Sequence, residues 1–163
     1  MGGGISSTQQ AAGLALSETN ALQNRAFQAA DVSVNTAALA AAARIPFDTV
    51  IQELAGQTDI VLDVAVNIGR WTIQPGRYKF TSHMAVGDVA ADQLETRWFN
   101  VTGAAFFGLS SNCIVADVTV ESQPTAIGYL TVTVATTVEL RAVTVTATPI
   151  ALGTATIATV ERL

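Results

Sequence analysis

The ten residues Trp71-Thr72-Ile73-Gln74-Pro75-Gly76-Arg77-Tyr78-Lys79-Phe80 restrict the fold more than any other stretch of the chain. Trp71 and Ile73 alternate with polar residues, the pattern of a half-buried strand. Pro75-Gly76 interrupts the run, because proline presets φ and glycine accepts positive φ. Tyr78 and Phe80 then resume a period of two that continues through His83 to Val86. The stretch reads as two aromatic-rich strands joined by a turn.

The same character extends over residues 45–163, where Val, Ile and Thr dominate and Gly, Pro, Asn and Asp punctuate. Strands are predicted near 45–51, 59–66, 68–73, 77–86, 94–101, 104–109, 113–121, 127–135, 137–147 and 154–162. Short strands at regular spacing, separated by turn residues, point to an all-β sandwich. The clearest alternation is Tyr129-Leu130-Thr131-Val132-Thr133-Val134. It places Leu130, Val132 and Val134 on one face and Tyr129, Thr131 and Thr133 on the other.

Residues 1–44 differ in composition and are predicted to form a separate anchoring arm. Three glycines open it, and Ser6-Ser7-Thr8-Gln9-Gln10 offers a hydroxyl three residues ahead of a glutamine, a capping-box pattern. The helix formers that follow predict a helix over 7–30, with a second over 36–44 that Pro46 ends. Leu14 and Leu22 lie along one face of the first helix. That seam is thin and mostly alanine, too weak to pack alone. The arm is therefore expected to order against a partner, with Leu14, Leu22, Phe27 and Leu39 as its anchoring contacts.

The chain is 50% hydrophobic and 13% charged, more apolar than an ordinary soluble domain. No apolar run reaches the roughly 20 residues of a membrane-spanning helix, so no membrane role is expected. The excess apolar surface is expected to be covered by other chains. The net charge is −5, with one lysine and seven arginines scattered along the sequence. Nucleic-acid binding through phosphate contacts is not expected from that distribution. Cys113, the single cysteine, lies in a strand-like run and reads as a small buried hydrophobe.

Gly76-Arg77-Tyr78-Lys79-Phe80 resembles the Gly-x-Tyr-x-Phe element of the tumour necrosis factor/complement-type jelly-roll family. The opening Ile45-Pro46-Phe47 and the closing apolar strand extend the resemblance over residues 45–163. The resemblance implies a ten-stranded jelly-roll sandwich that assembles as a homotrimer. Trp71, Tyr78, Phe80, Trp98 and Tyr129 are then the candidates for core or trimer packing. The family also occurs in phage head fibres, capsid decoration proteins and fibre tips. A structural virion protein is the expected function, made in the host cytoplasm and attached by its arm to the major capsid protein or another virion protein. The alternative is a tail-fibre tip that binds a host surface glycan or protein, with Trp71, Trp98 and Tyr129 as contacts.

No constellation for catalysis, cofactor or metal emerges from the residues. His83 is the only histidine, so a Ser-His-Asp or Cys-His site would have to include it. It lies in Thr81-Ser82-His83-Met84, beside no nucleophile signature. Gly108-Leu109-Ser110-Ser111-Asn112 lacks the second glycine of a nucleophile elbow. Asp88, Asp92 and Glu95 share one connection, which reads as a solvated acidic loop and leaves calcium binding open.

Overall fold

In the computed structural model, residues 26–32, 36–87, 92–115, 125–145, 150–152 and 156–163 are described. They form thirteen strands. Ten of these make one antiparallel sheet in the order β3-β1-β13-β6-β10-β9-β8-β11-β5-β4. Its first half comprises β3 (Thr49–Glu53), β1 (Phe27–Asp31), β13 (Ile157–Arg162), β6 (Gly76–His83) and β10 (Thr125–Val132). Its second half comprises β9 (Ala105–Val115), β8 (Asp92–Asn100), β11 (Thr136–Val145), β5 (Arg70–Ile73) and β4 (Ile60–Asp63). The sheet folds over so that the halves face each other across one core. This is the expected jelly-roll sandwich.

A smaller sheet, β2 (Thr36–Leu39), β12 (Ile150–Leu152) and β7 (Val86–Gly87), completes the described structure.

The Trp71–Phe80 stretch behaves as its period predicts. Trp71, Ile73, Tyr78 and Phe80 are fully buried. The Gln74-Pro75 turn does not close a hairpin, however. β5 pairs with β4 and β11, whereas β6 pairs with β13 and β10, so the turn carries the chain from one layer to the other. The Tyr78 hydroxyl donates to the Gln74 carbonyl at 2.8 Å, tying the turn to the strand it launches.

Aromatic rings form a string through the core. Phe47 contacts Trp71 at 5.1 Å between ring centres, Trp71 contacts Trp98 at 5.6 Å, and Trp98 contacts Phe80 at 5.1 Å. Phe80 also meets Phe107 at 5.1 Å and Tyr78 at 6.4 Å. The tilted and edge-on geometries are those that aromatic quadrupoles favour.

The amino-terminal expectations need correction. Residues 27–31 are a strand, β1, inserted between β3 and β13, not the end of a helix. Helix propensity differs by less than about 1 kcal/mol per residue among ordinary residues, and pairing on both sides outweighs it. Alanine also suits the site: Ala30 lies opposite Ala158, and both are fully buried.

The second predicted helix, 36–44, is strand β2 followed by a turn in which Ala42 has φ 65°. Leu39 lies in the core at 6% exposure and is therefore no outward anchor. Phe27 is half-buried on β1. Leu14 and Leu22 lie outside the described residues. Residues 27–31 and 36–39, ahead of the expected boundary at residue 45, are thus strands of the β structure. A further difference is that the strands expected at 104–109 and 113–121 are joined in the long β9.

Two glycines permit close backbone approaches. Gly108 (φ 72°) sits where β9 meets β10, and a methyl there would stand 2.5 Å from the Gly128 Cα. Gly69 (φ 86°) lies under the 45–47 segment, and a methyl there would collide with the Ile45 carbonyl oxygen. Gly69→Ala combines a left-handed backbone with a rigid clash, so a loss of about 2–4 kcal/mol is expected. Urea denaturation of the variant beside the parent checks this.

Candidate interaction faces

Each layer has an outward face, and the strand registers fix what it displays. On the first layer, Ile127 of β10 lies opposite Leu109 of β9, where the two layers join. Ile127 lies opposite Thr81 of β6, and Thr81 opposite Thr159 of β13. This row crosses four strands without a charge. Leu109 is 75% exposed and Ile127 36% exposed. The adjacent row runs Tyr129, Lys79, Glu161, and Tyr129 is 61% exposed. Tyr129 is thus the one aromatic of the five sequence candidates that faces solvent. Trp71, Tyr78, Phe80 and Trp98 are fully buried, which gives them core roles and removes the two tryptophans as ligand contacts.

On the second layer the outward rows are charged. One row runs Asp63 of β4, Arg70 of β5, Glu139 of β11, Phe99 of β8 and Phe106 of β9. In the next row Arg141 of β11 lies opposite Arg97 of β8. Beyond the end of β5, the segment around Arg44 takes its place beside β11. Ala42 N–H donates to the Ala142 carbonyl and Ile45 N–H to the Leu140 carbonyl, both at 2.9 Å. Arg44 therefore stands against Arg141 on the same face.

Glu139 is the centre of this face and is almost completely buried. It accepts from Arg70 Nε at 2.7 Å and Arg141 Nε at 2.5 Å, and Arg44 Nη1 is 3.6 Å away. Burial alone would raise its pKa. The hydrogen bonds and charges of Arg70 and Arg141 outweigh that and hold the carboxyl below its ordinary 4.5. Asp63 is held differently. Its two oxygens accept the backbone N–H groups of Ala65, Val66 and Asn67 at 2.9–3.0 Å, which lowers its pKa to about 2.

The guanidiniums also stack. Arg141 lies 3.6 Å over the Phe99 ring and Arg97 lies 6.0 Å from the centre of the Phe106 ring. Four of the seven arginines therefore gather on one face, although the sequence disperses them from residue 44 to residue 141. No local motif announces this cluster. Strand register alone assembles it.

The remaining sequence candidates form no site among the described residues. His83 is exposed, with its Nδ1 3.1 Å from the Thr125 hydroxyl. Glu95 accepts from the Thr144 hydroxyl at 3.2 Å. Asp88 lies outside the described residues. No group of three or more His, Cys, Asp or Glu side chains suited to a metal ion occurs among the described residues.

No protein-family model and no curated protein sequence matches the chain. Solved structures do. The globular domain of zebrafish complement 1qA protein is similar over 85% of this chain and 95% of its own, at 14% identity and a TM-score of 0.57. Murine APRIL is similar over 85% of this chain and 99% of its own, at 8% identity and a TM-score of 0.61. Eiger TNF from S. frugiperda is similar over 85% of this chain and 91% of its own, at 13% identity and a TM-score of 0.53. Together with the strand order and the Gly76–Phe80 element, these similarities establish the fold: a jelly roll of the tumour necrosis factor/complement type.

Proposed function

We propose that the chain is the subunit of a homotrimeric structural virion protein of a bacteriophage, a capsid decoration or head-fibre protein. It acts by assembly and attachment, not catalysis. The observation that carries the assembly is the uncharged row Leu109, Ile127, Thr81, Thr159 on the first layer, with Tyr129 beside it. An uncharged row across four paired strands, flanked by an exposed tyrosine, suits burial against copies of itself, and closed symmetry is the usual way such surface is removed from water. Fold neighbours of the complement and tumour necrosis factor type support the same reading.

The virion assignment draws on the sequence. The residues ahead of β1 are rich in Ala, Gln and Ser and nearly free of charge. Such a segment buries too little by itself to offset its ordering entropy, and the capsid supplies the missing surface. β1 lies next to the edge strand β3, so the attached segment enters the sheet near its border.

Light scattering should give a mass near three times the 16.9 kDa of the chain. Ile127→Glu should shift the protein to monomer at micromolar concentration and leave its β-sheet circular dichroism intact. A parent protein that is monomeric under those conditions rejects the trimer. Quantitative mass spectrometry of purified particles tests the rest: decoration requires copies in proportion to capsid lattice positions, and absence from particles rejects it.

A further inference from the structure

The second layer carries an imbalance that a structural clamp does not use up. Asp63 commits both carboxyl oxygens to backbone amides, and Glu95 accepts from Thr144. Glu139 alone among the face's carboxylates serves Arg44, Arg70 and Arg141, which are 28%, 31% and 25% exposed. Arg97 forms no ion pair among the described residues; its Nε donates to the Gly108 carbonyl at 3.1 Å. Arg97 and Arg141 are direct cross-strand partners. Like charges in that position repel; Glu139 offsets Arg141, which leaves the charge of Arg97 for an added anion to balance. The neighbouring Phe106 ring is 40% exposed. The protein as a whole has a net charge of −5, so a polyanion repelled elsewhere finds its complement on this face.

We propose that this face binds an acidic saccharide. A sulfate or carboxylate group bridges the guanidiniums of Arg97 and Arg141, and a sugar ring lies against Phe106. Guanidinium matches planar and tetrahedral oxyanions through paired N–H donors. A saccharide fits better than an acidic peptide, because β5, β11, β8 and β9 are each paired on both sides. The face offers side chains but no free backbone edge for a peptide strand. The site adjoins the assembly row along β9, with Phe106 three residues from Leu109, but its guanidiniums stand on β8 and β11, so it does not depend on the chain being a virion protein.

The test is binding of the full chain to immobilised dextran sulfate and alginate, with neutral dextran and poly-glutamate as comparisons. Both acidic polysaccharides should bind at low salt and neutral dextran should not. Binding should fade in roughly 0.5 M salt, where charges are screened beyond about 5 Å. Arg97→Gln should weaken binding roughly tenfold or more, the scale of a lost charge-assisted contact. Phe106→Ala, at a partly exposed surface position, should weaken it as well. Arg77→Gln, an exposed arginine on the other layer, should leave it unchanged. Thermal melting checks that each variant is folded. No binding at low salt, equal losses in Arg77→Gln and Arg97→Gln, or poly-glutamate binding as tight as dextran sulfate would each overturn the proposal.

Discussion

Phe80→Ala should destabilise the domain by about 3–5 kcal/mol, the range for removing a buried phenylalanine ring. Phe80 is the junction of the aromatic string. Its ring lies 5.1 Å from both Trp98 and Phe107 and 6.4 Å from Tyr78. Trp98 and Phe107 come from the second layer, and Tyr78 shares β6 with Phe80. The truncation therefore opens a void between layers, where neighbours anchored on separate strands cannot easily collapse. A domain of this size is stable by only about 5–15 kcal/mol, so the loss is a large fraction of the whole. The melting temperature should fall by roughly 10 °C. Tyr78→Ala should cost a similar amount, because Tyr78 is also fully buried and its hydroxyl holds the Gln74 carbonyl. A Phe80→Ala protein that melts within a degree or two of the parent would mean that the string is not the centre of the core.

What the sequence revealed divides along physical lines. The period of two from Trp71 to Phe80 identified inward residues correctly because each strand has one buried face, and a slip of one residue would expose them all. Leu130 and Val132 turned inward and Tyr129 outward for the same reason, whereas Val134, expected on the face of Leu130 and Val132, lies beyond the end of β10 and is 62% exposed.

β1 and β2 were missed because their alanines carry almost no periodic signal. Phe27-Gln28-Ala29-Ala30-Asp31 reads as helix until β3 and β13 are present to pair with it. The break expected between 104–109 and 113–121 falls at Ser110-Ser111-Asn112, residue types that are common in loops. Within β9, Ser111 instead turns inward, and its hydroxyl lies 2.8 Å from that of Thr96.

The arginine face was invisible for a different reason. Its members are distant in sequence, and charge counting along a chain registers only neighbours. Glu139 gave no warning either. It sits on a strand between buried Val138 and Leu140, where an outward residue is expected to be solvated.

That buried carboxylate carries the second large effect. Glu139→Gln should cost about 2–3 kcal/mol at neutral pH. Removing one member of a buried ion pair typically costs 3–5 kcal/mol, and the partial exposure of Arg44, Arg70 and Arg141 lets water recover part of it. The segment around Arg44 should loosen first, since Glu139 is the carboxylate that binds it to β11 and β5.

The pH dependence separates this cause from simple misfit of the amide. The carboxyl of Glu139 titrates below 4.5 in the folded state and near 4.5 in the unfolded chain. Its contribution is therefore complete above about pH 4.5 and disappears as pH falls through the lower folded value. The stability gap between the parent and Glu139→Gln should accordingly be constant from neutral pH down to about 5, then narrow in more acidic solution. Urea denaturation of both proteins over that range measures it. A gap that stays the same at pH 3 as at pH 7 would show that shape, not charge, makes Glu139 matter. Equal stability at pH 7 would show that the three arginines do not depend on it.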